Sequence, residues 1–141
     1  MAHKISWDNA EKTVILQEYL KGATKDDLYL LAQESAAMLA TVPHTVHLII
    51  DETNIQLTVN SADIRYLEKI VPKNQGAIVL IPPANSLPFK KMMQTIGQKF
   101  APKAFGEPNF ASSLEEARSL LREHYGVNYA EADHKHEVDK G

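Results

Sequence analysis

Two stretches of the chain carry apolar, largely β-branched residues without polar alternation: Val46-His47-Leu48-Ile49-Ile50 and Gly76-Ala77-Ile78-Val79-Leu80-Ile81. A strand buried on one face alternates, so unbroken runs of this length predict strands covered on both faces, as in the parallel part of an α/β sheet. The first run stops at Asp51 and the second at Pro82 and Pro83, and the two are expected to lie side by side. Asp51, Thr53 and Asn54 then project from a carboxyl-terminal strand end, the edge where open α/β sheets commonly place their ligands.

The rest of the pattern supplies partners for these strands. Residues 4–8 and 13–20, joined by a polar turn at 9–12, read as a hairpin whose first strand is a sheet edge. Thr24 is placed as the N-cap of a first helix, with Asp26 and Asp27 near its positive end and Leu28, Leu31, Ser35, Met38, Leu39 and Val42 on one face. Pro43 closes it. Asn60, Ser61, Ala62 and Asp63 start a short second helix through Ile64, Leu67, Ile70 and Val71, which Pro72 ends. Asn85, Ser86 and Pro88 open a third helix with Phe89, Met92, Met93, Ile96 and Phe100 inward. Residues 104–111, interrupted by Gly106 and Pro108, fit a short strand at a sheet edge. Ser113 and Glu116 form a capping box before a fourth helix with Leu114, Ala117, Leu120 and Leu121 inward, ended by Gly126. The order ββαβαβαβα predicts an α/β fold: a mixed central sheet of four to five strands, its parallel part reached by right-handed crossovers, with helices covering both faces.

Composition narrows the class. A chain of 141 residues with 44% hydrophobic content suits one domain, placed at residues 1–127, and residues 128–141 form a charged tail expected to be disordered. There are no cysteines, which removes disulfides and cysteine-held metals and fits a reducing, cytoplasmic setting. No stretch approaches the roughly 18 apolar residues of a membrane span. A net charge of −3 with dispersed Lys and Arg offers no footprint for nucleic acid.

The element order, the run His47-Leu48-Ile49-Ile50-Asp51, and the second apolar strand followed by Asn85-Ser86-Leu87-Pro88-Phe89 together resemble the STAS-like family, over roughly residues 4–126. The likeness is to its small bacterial branch, often grouped with CRAL-TRIO-like lipid-binding domains. In the anti-sigma-factor-antagonist branch an Asp-Ser-Ser-Gly segment opens the helix after the central strand, and its second serine is phosphorylated. The matching stretch here is Val59-Asn60-Ser61-Ala62, which makes Ser61 the phosphorylation candidate, while the motif's aspartate and glycine are replaced. The resemblance implies a non-catalytic module that binds proteins, nucleotides or small apolar molecules.

Candidate chemistry gathers at one edge. Asp51, Thr53 and Asn54, with Ser61, Asn85 and Ser86 at two helix starts facing them, form a candidate ligand or partner surface, because helix N-termini present unpaired amides and partial positive charge. These are also the commonest turn and cap residues, Asp51 disfavours an anion, and no glycine-rich loop is available for a nucleotide. Phe89, Met92 and Met93 read as core or as an adaptable groove for an apolar ligand, with Lys90, Lys91, Lys99 and Lys103 nearby. His44 and His47, three apart in an extended chain, point to opposite faces, and His134 and His136 lie in the tail, so no metal or other cofactor is expected. No serine lies in a Gly-x-Ser-x-Gly elbow, so catalysis is not expected. Two readings remain: a regulatory module that contacts a protein partner, or a carrier or sensor of a small apolar or lipid-like ligand. Edge strands leave room for a homodimer.

Overall fold

In the computed structural model, which describes residues 2–55, 57–83 and 108–129, the two unbroken apolar runs form adjacent parallel strands. In chain order the elements are β1 (His3–Trp7), β2 (Val14–Tyr19), α1 (Lys25–Leu39), β3 (Val46–Asp51), α2 (Ser61–Ile70), β4 (Gln75–Ile81), β5 (Pro108–Phe110) and α3 (Leu114–Tyr125). They form an α/β fold with a five-stranded mixed sheet in the order β1-β2-β3-β4-β5; β1 is antiparallel to β2 and every other pair is parallel. The helix expected from Asn85 to Phe100 lies outside the described residues.

Strand order follows chain order, and right-handed crossovers therefore carry α1 and α2 to the same face of the sheet. Strand alternation divides the core accordingly. Val14, Leu16, Ile49, Val79 and Ile81 point to the other face, where Ala117, Leu121 and Val127 close over them. On the α1 face two separate clusters form: Ile15, Leu39, Val46, Leu48 and Ile78 at one end, and Tyr19, Ala23 and Leu31 at the other.

The β3–β4 ladder contains a bulge. Val46 pairs with Gln75 but Leu48 pairs with Ile78, so β4 uses three residues where β3 uses two. There the Ala77 N–H donates to His47 Nδ1 at 2.9 Å, which makes His47 an internal hydrogen-bond acceptor. Burial lowers the pKa of His47, consistent with a neutral ring, and Tyr125 packs against it at 5.2 Å between centroids. Gly76 allows this approach: a Cβ there would stand 2.5 Å from His47 Nδ1 and 2.8 Å from Thr45 Cγ2.

Polar contacts fix the helices to the sheet. Thr24 caps α1 with its N–H donating to Asp27 Oδ2 at 2.8 Å. Ser113 Oγ accepts from the Glu116 N–H at 3.1 Å, but the Glu116 carboxylate bonds the Ser112 hydroxyl at 2.5 Å rather than returning to Ser113. Only half of the expected capping box forms, because a nearer hydroxyl takes the carboxylate. Arg118 on α3 makes two hydrogen bonds to Asp8, at 2.9 and 2.5 Å, and Tyr129 donates to the same carboxylate at 2.6 Å. Asn128, assigned by sequence to the tail, accepts through its carbonyl from Asn9 Nδ2 at 2.9 Å, so both Asn128 and Tyr129 are held against the hairpin; residues 130–141 lie outside the described residues.

His3 anchors the edge strand to α1. Its Nδ1 lies 2.6 Å from Asp27 Oδ1 and its Nε2 lies 2.7 Å from Glu34 Oε1, while the Ala2 N–H donates to Asp27 Oδ1 at 3.0 Å. Burial disfavours the imidazolium, but the two carboxylates outweigh it and raise the His3 pKa above 6.5. Asp27 is shifted down, first by His3 and then by the Thr24 amide.

Two outcomes are expected. Gly76→Ala destabilises by roughly 1–3 kcal/mol in urea unfolding through overpacking against His47, and His47→Ala in the same chain recovers part of the loss. The His3 contribution is fully present below its unfolded pKa near 6.5 and is lost as pH rises through the higher folded value, so His3→Gln lowers Tm at pH 6 and much less at pH 9. The Asp27 contribution runs the other way, present above about 3.8 and lost as pH falls through its lowered value.

Candidate functional site

The two clusters on the α1 face do not merge, because α1 presents small side chains where large ones would bridge them. Leu28, Ala32, Ser35 and Ala36 follow the helical repeat along the face turned to the sheet. Beneath Ala32, Ser35 and Ala36 lies a cavity of about 150 Å³ between α1, α2 and the sheet. Its apolar walls include Leu48 and Ile50 from β3, Ile78 and Leu80 from β4, and Leu67 and Ile70 from α2, with Leu57, Thr58 and Val59 contributed by the β3–α2 connection. A void of this size lined by aliphatic side chains accepts a molecule of about benzene's dimensions.

Beside the more exposed Thr58 and Gln75, four buried polar residues line the same space: Gln17, Tyr19, Ser35 and Glu52. Their exposures are 5, 3, 4 and 7%. Gln17 and Tyr19 share the inward parity of β2 with Ile15, and Glu52 follows β3 on the parity of Leu48 and Ile50. Burial, then the nearby Glu52 and Asp27 carboxylates, raise the pKa of the Tyr19 phenol, which stays protonated at neutral pH. Ser35 Oγ has no hydrogen-bond partner among the described residues.

A polar clasp joins the two helices. Asp63, buried in the first turn of α2, accepts from Lys25 Nζ, from Tyr29 OH at 2.5 Å and from the Asn60 N–H at 2.9 Å, and its own N–H donates to Asn60 Oδ1 at 2.9 Å. Tyr29 and Tyr66 pack with centroids 4.6 Å apart, and Gln33 Nε2 donates to Tyr66 OH at 2.8 Å. Burial raises the Asp63 pKa, but the hydrogen bonds from Lys25, Tyr29 and Asn60 prevail and hold the carboxyl below its ordinary value.

The residues nominated from sequence are placed differently. Asp51 Oδ1 accepts from the Thr53 N–H at 3.0 Å and the Thr53 hydroxyl at 2.8 Å, closing its own turn. It lies opposite Glu18 in the ladder, and burial and then Asp51 raise the Glu18 pKa against the opposing pull of Lys4 and Arg118. Thr53 and Asn54 are exposed, and Ser61 is the exposed first residue of α2, with Asn60 doing the capping. Among the described residues no hydrogen bond or ion pair joins Asp51, Thr53 or Asn54 to Ser61. Asn85, Ser86, Phe89, Met92 and Met93 lie outside the described residues. Ser35 was legible as a polar member of a buried helical stripe; Gln17 and Glu52 were missed, although Gln17 is the uncharged polar residue within an otherwise inward-facing row of β2. His44 is bound to the Lys12 carbonyl at 2.8 Å, and among the described residues no group of three His, Cys, Asp or Glu could hold a metal ion. Nor is any described helix long and apolar enough to cross a membrane.

Asp63→Ala is expected to cost roughly 1–3 kcal/mol in urea unfolding, since it removes the carboxylate half of the capping box at Asn60 and leaves the Tyr29 hydroxyl without its acceptor, whereas Tyr29→Phe costs about 1 kcal/mol. The Asp63 contribution is present above its unfolded pKa and is lost as pH falls through the lower folded value, so the difference between wild type and Asp63→Ala narrows in acid. No family model matches the chain, and no curated protein or solved structure matches it.

Proposed function

We propose that this chain is a non-catalytic binding module of STAS-like type that holds a small, largely apolar molecule in the cavity between α1, α2 and the sheet. The observation that carries the proposal is the cavity itself: aliphatic walls with a few buried polar groups are the usual composition of a small-molecule site. Of the two readings drawn from the sequence, the carrier or sensor gains from this cavity, while the Asp51 edge, which formed part of the surface common to both, offers a self-satisfied turn beside like charges. Binding is favoured over catalysis because Ser35 Oγ, the buried hydroxyl of the cavity wall contributed by α1, has no base bonded to it among the described residues. The order of the described elements up to β4, ββαβαβ, supports the STAS-like reading that far.

Native mass spectrometry of protein purified without detergent, together with thermal-shift measurements across short alcohols, small aromatics and fatty acids, tests the proposal. A bound mass or a rise in Tm is expected for the wild type, and Ala36→Phe, which projects a ring into the cavity, is expected to lower affinity at least tenfold while the far-UV circular dichroism stays native. A clean apo mass with no shift across the panel would sink it.

Protein contact through Ser61 keeps one specific support: the residue is exposed at the first position of α2, where a phosphate is stabilised by the helix dipole. Phosphopeptide mapping of the chain isolated from its own cells is expected to find Ser61 modified on that reading, and an unmodified Ser61 in every growth condition removes it.

A further inference from the structure

Two of the buried polar groups that line the cavity, on Ser35 and Gln17, indicate what the bound molecule carries, provided that the cavity is a ligand site as proposed above. Ser35 is 4% exposed and its Oγ is unpartnered among the described residues. A serine inside a helix ordinarily returns its hydroxyl to the carbonyl one turn back, and Ser35 does not. Ala32 and Ala36 line the same cavity wall, so an alanine would fit the α1 face at this point without leaving a buried hydroxyl unsatisfied. From the sheet side, Gln17, 5% exposed, brings two donors and an acceptor to the same space. Both groups are neutral, and no Lys, Arg or His stands among the described lining residues to meet an anion. An ionised acid placed between them would exchange its hydration for two neutral dipoles, an unfavourable transfer.

We infer that the cavity selects a neutral molecule of about one six-membered ring in size that bears a single hydroxyl or carbonyl group, read by Ser35 and Gln17. It prefers that molecule to the hydrocarbon of the same shape and excludes the corresponding carboxylate. The hydroxyl of Ser35 is then retained for recognition at a cost to the empty protein, a trade common at binding sites.

Phenol, toluene and benzoate, titrated into the full chain and followed by amide chemical shifts in nuclear magnetic resonance, separate the possibilities. Phenol is expected to bind the wild type about tenfold more tightly than toluene, the equivalent of one well-made buried hydrogen bond, with shifts at residues lining the cavity, and benzoate is expected not to bind. In Ser35→Ala and in Gln17→Met the preference for phenol falls to about threefold or less, with toluene affinity unchanged or improved. The apo Tm of Ser35→Ala is equal to or above that of the wild type, whereas a merely structural serine would lower it on removal. Equal binding of phenol and toluene to the wild type, or an undiminished phenol preference in both variants, overturns the inference while leaving the cavity as a ligand site. Failure of all three probes to shift any cavity residue overturns both.

Discussion

A parallel sheet whose strands are laid down in chain order sends successive crossover helices to one face, because a right-twisted strand feeding a right-handed connection packs back onto the sheet in only one sense. This constraint sets the positions of α1 and α2. α1 and α2 stand side by side over β2, β3 and β4, and α3 is left to cover the reverse face with Ala117 and Leu121 against Val14, Ile49 and Val79. Where strand order reverses, helices diverge to opposite faces and open a crevice beyond the strand ends. Here β2 to β5 run without reversal, and the cavity lies under the helices rather than at the carboxyl-terminal edge.

The helices that roof the cavity are held by charge at their margins and by little at its centre. Asp27 takes His3 and the Ala2 and Thr24 amides, and Asp63 takes Lys25, Tyr29 and the Asn60 amide. On the far face Asp8 takes Arg118 and Tyr129. Each carboxylate collects several donors, which makes burial of its charge tolerable. Between the α1 clamps the packing is thin: Ala32, Ser35 and Ala36 leave the two apolar clusters of that face separate. Margins fixed by hydrogen bonds allow a gap in the middle to persist without collapse, since the flanking large side chains Leu31 and Leu39 already seat α1 on the sheet.

The gap is chemically uneven. Aliphatic side chains make most of its wall, yet a serine hydroxyl that has no partner among the described residues lines it from α1 and a glutamine amide lines it from β2. In a core chosen for stability alone both would be replaced by apolar residues. The cavity departs from that rule, whereas the α3 face follows it closely with Val14, Leu16, Ile49, Val79 and Ile81 under Ala117 and Leu121.

By itself the sequence determined the described elements and their order. Unbroken apolar runs marked β3 and β4, β-branched residues marked β2, and Thr24, Asn60, Ser113 and Gly126 marked helix boundaries, because these signals are local and depend on backbone preference and period. Only the tertiary structure decided which face of the sheet holds a cavity, since that depends on the size of α1 side chains meeting β2, β3 and β4 across long stretches of chain. Asp51, prominent at a strand end, closes a turn, while Glu52 and Gln17, inconspicuous in sequence, line the interior space. The partners of Asp63 and the docking of Tyr129 on Asp8, 121 positions away, were equally beyond local pattern, because a polar side chain carries no sign of which distant donor will reach it.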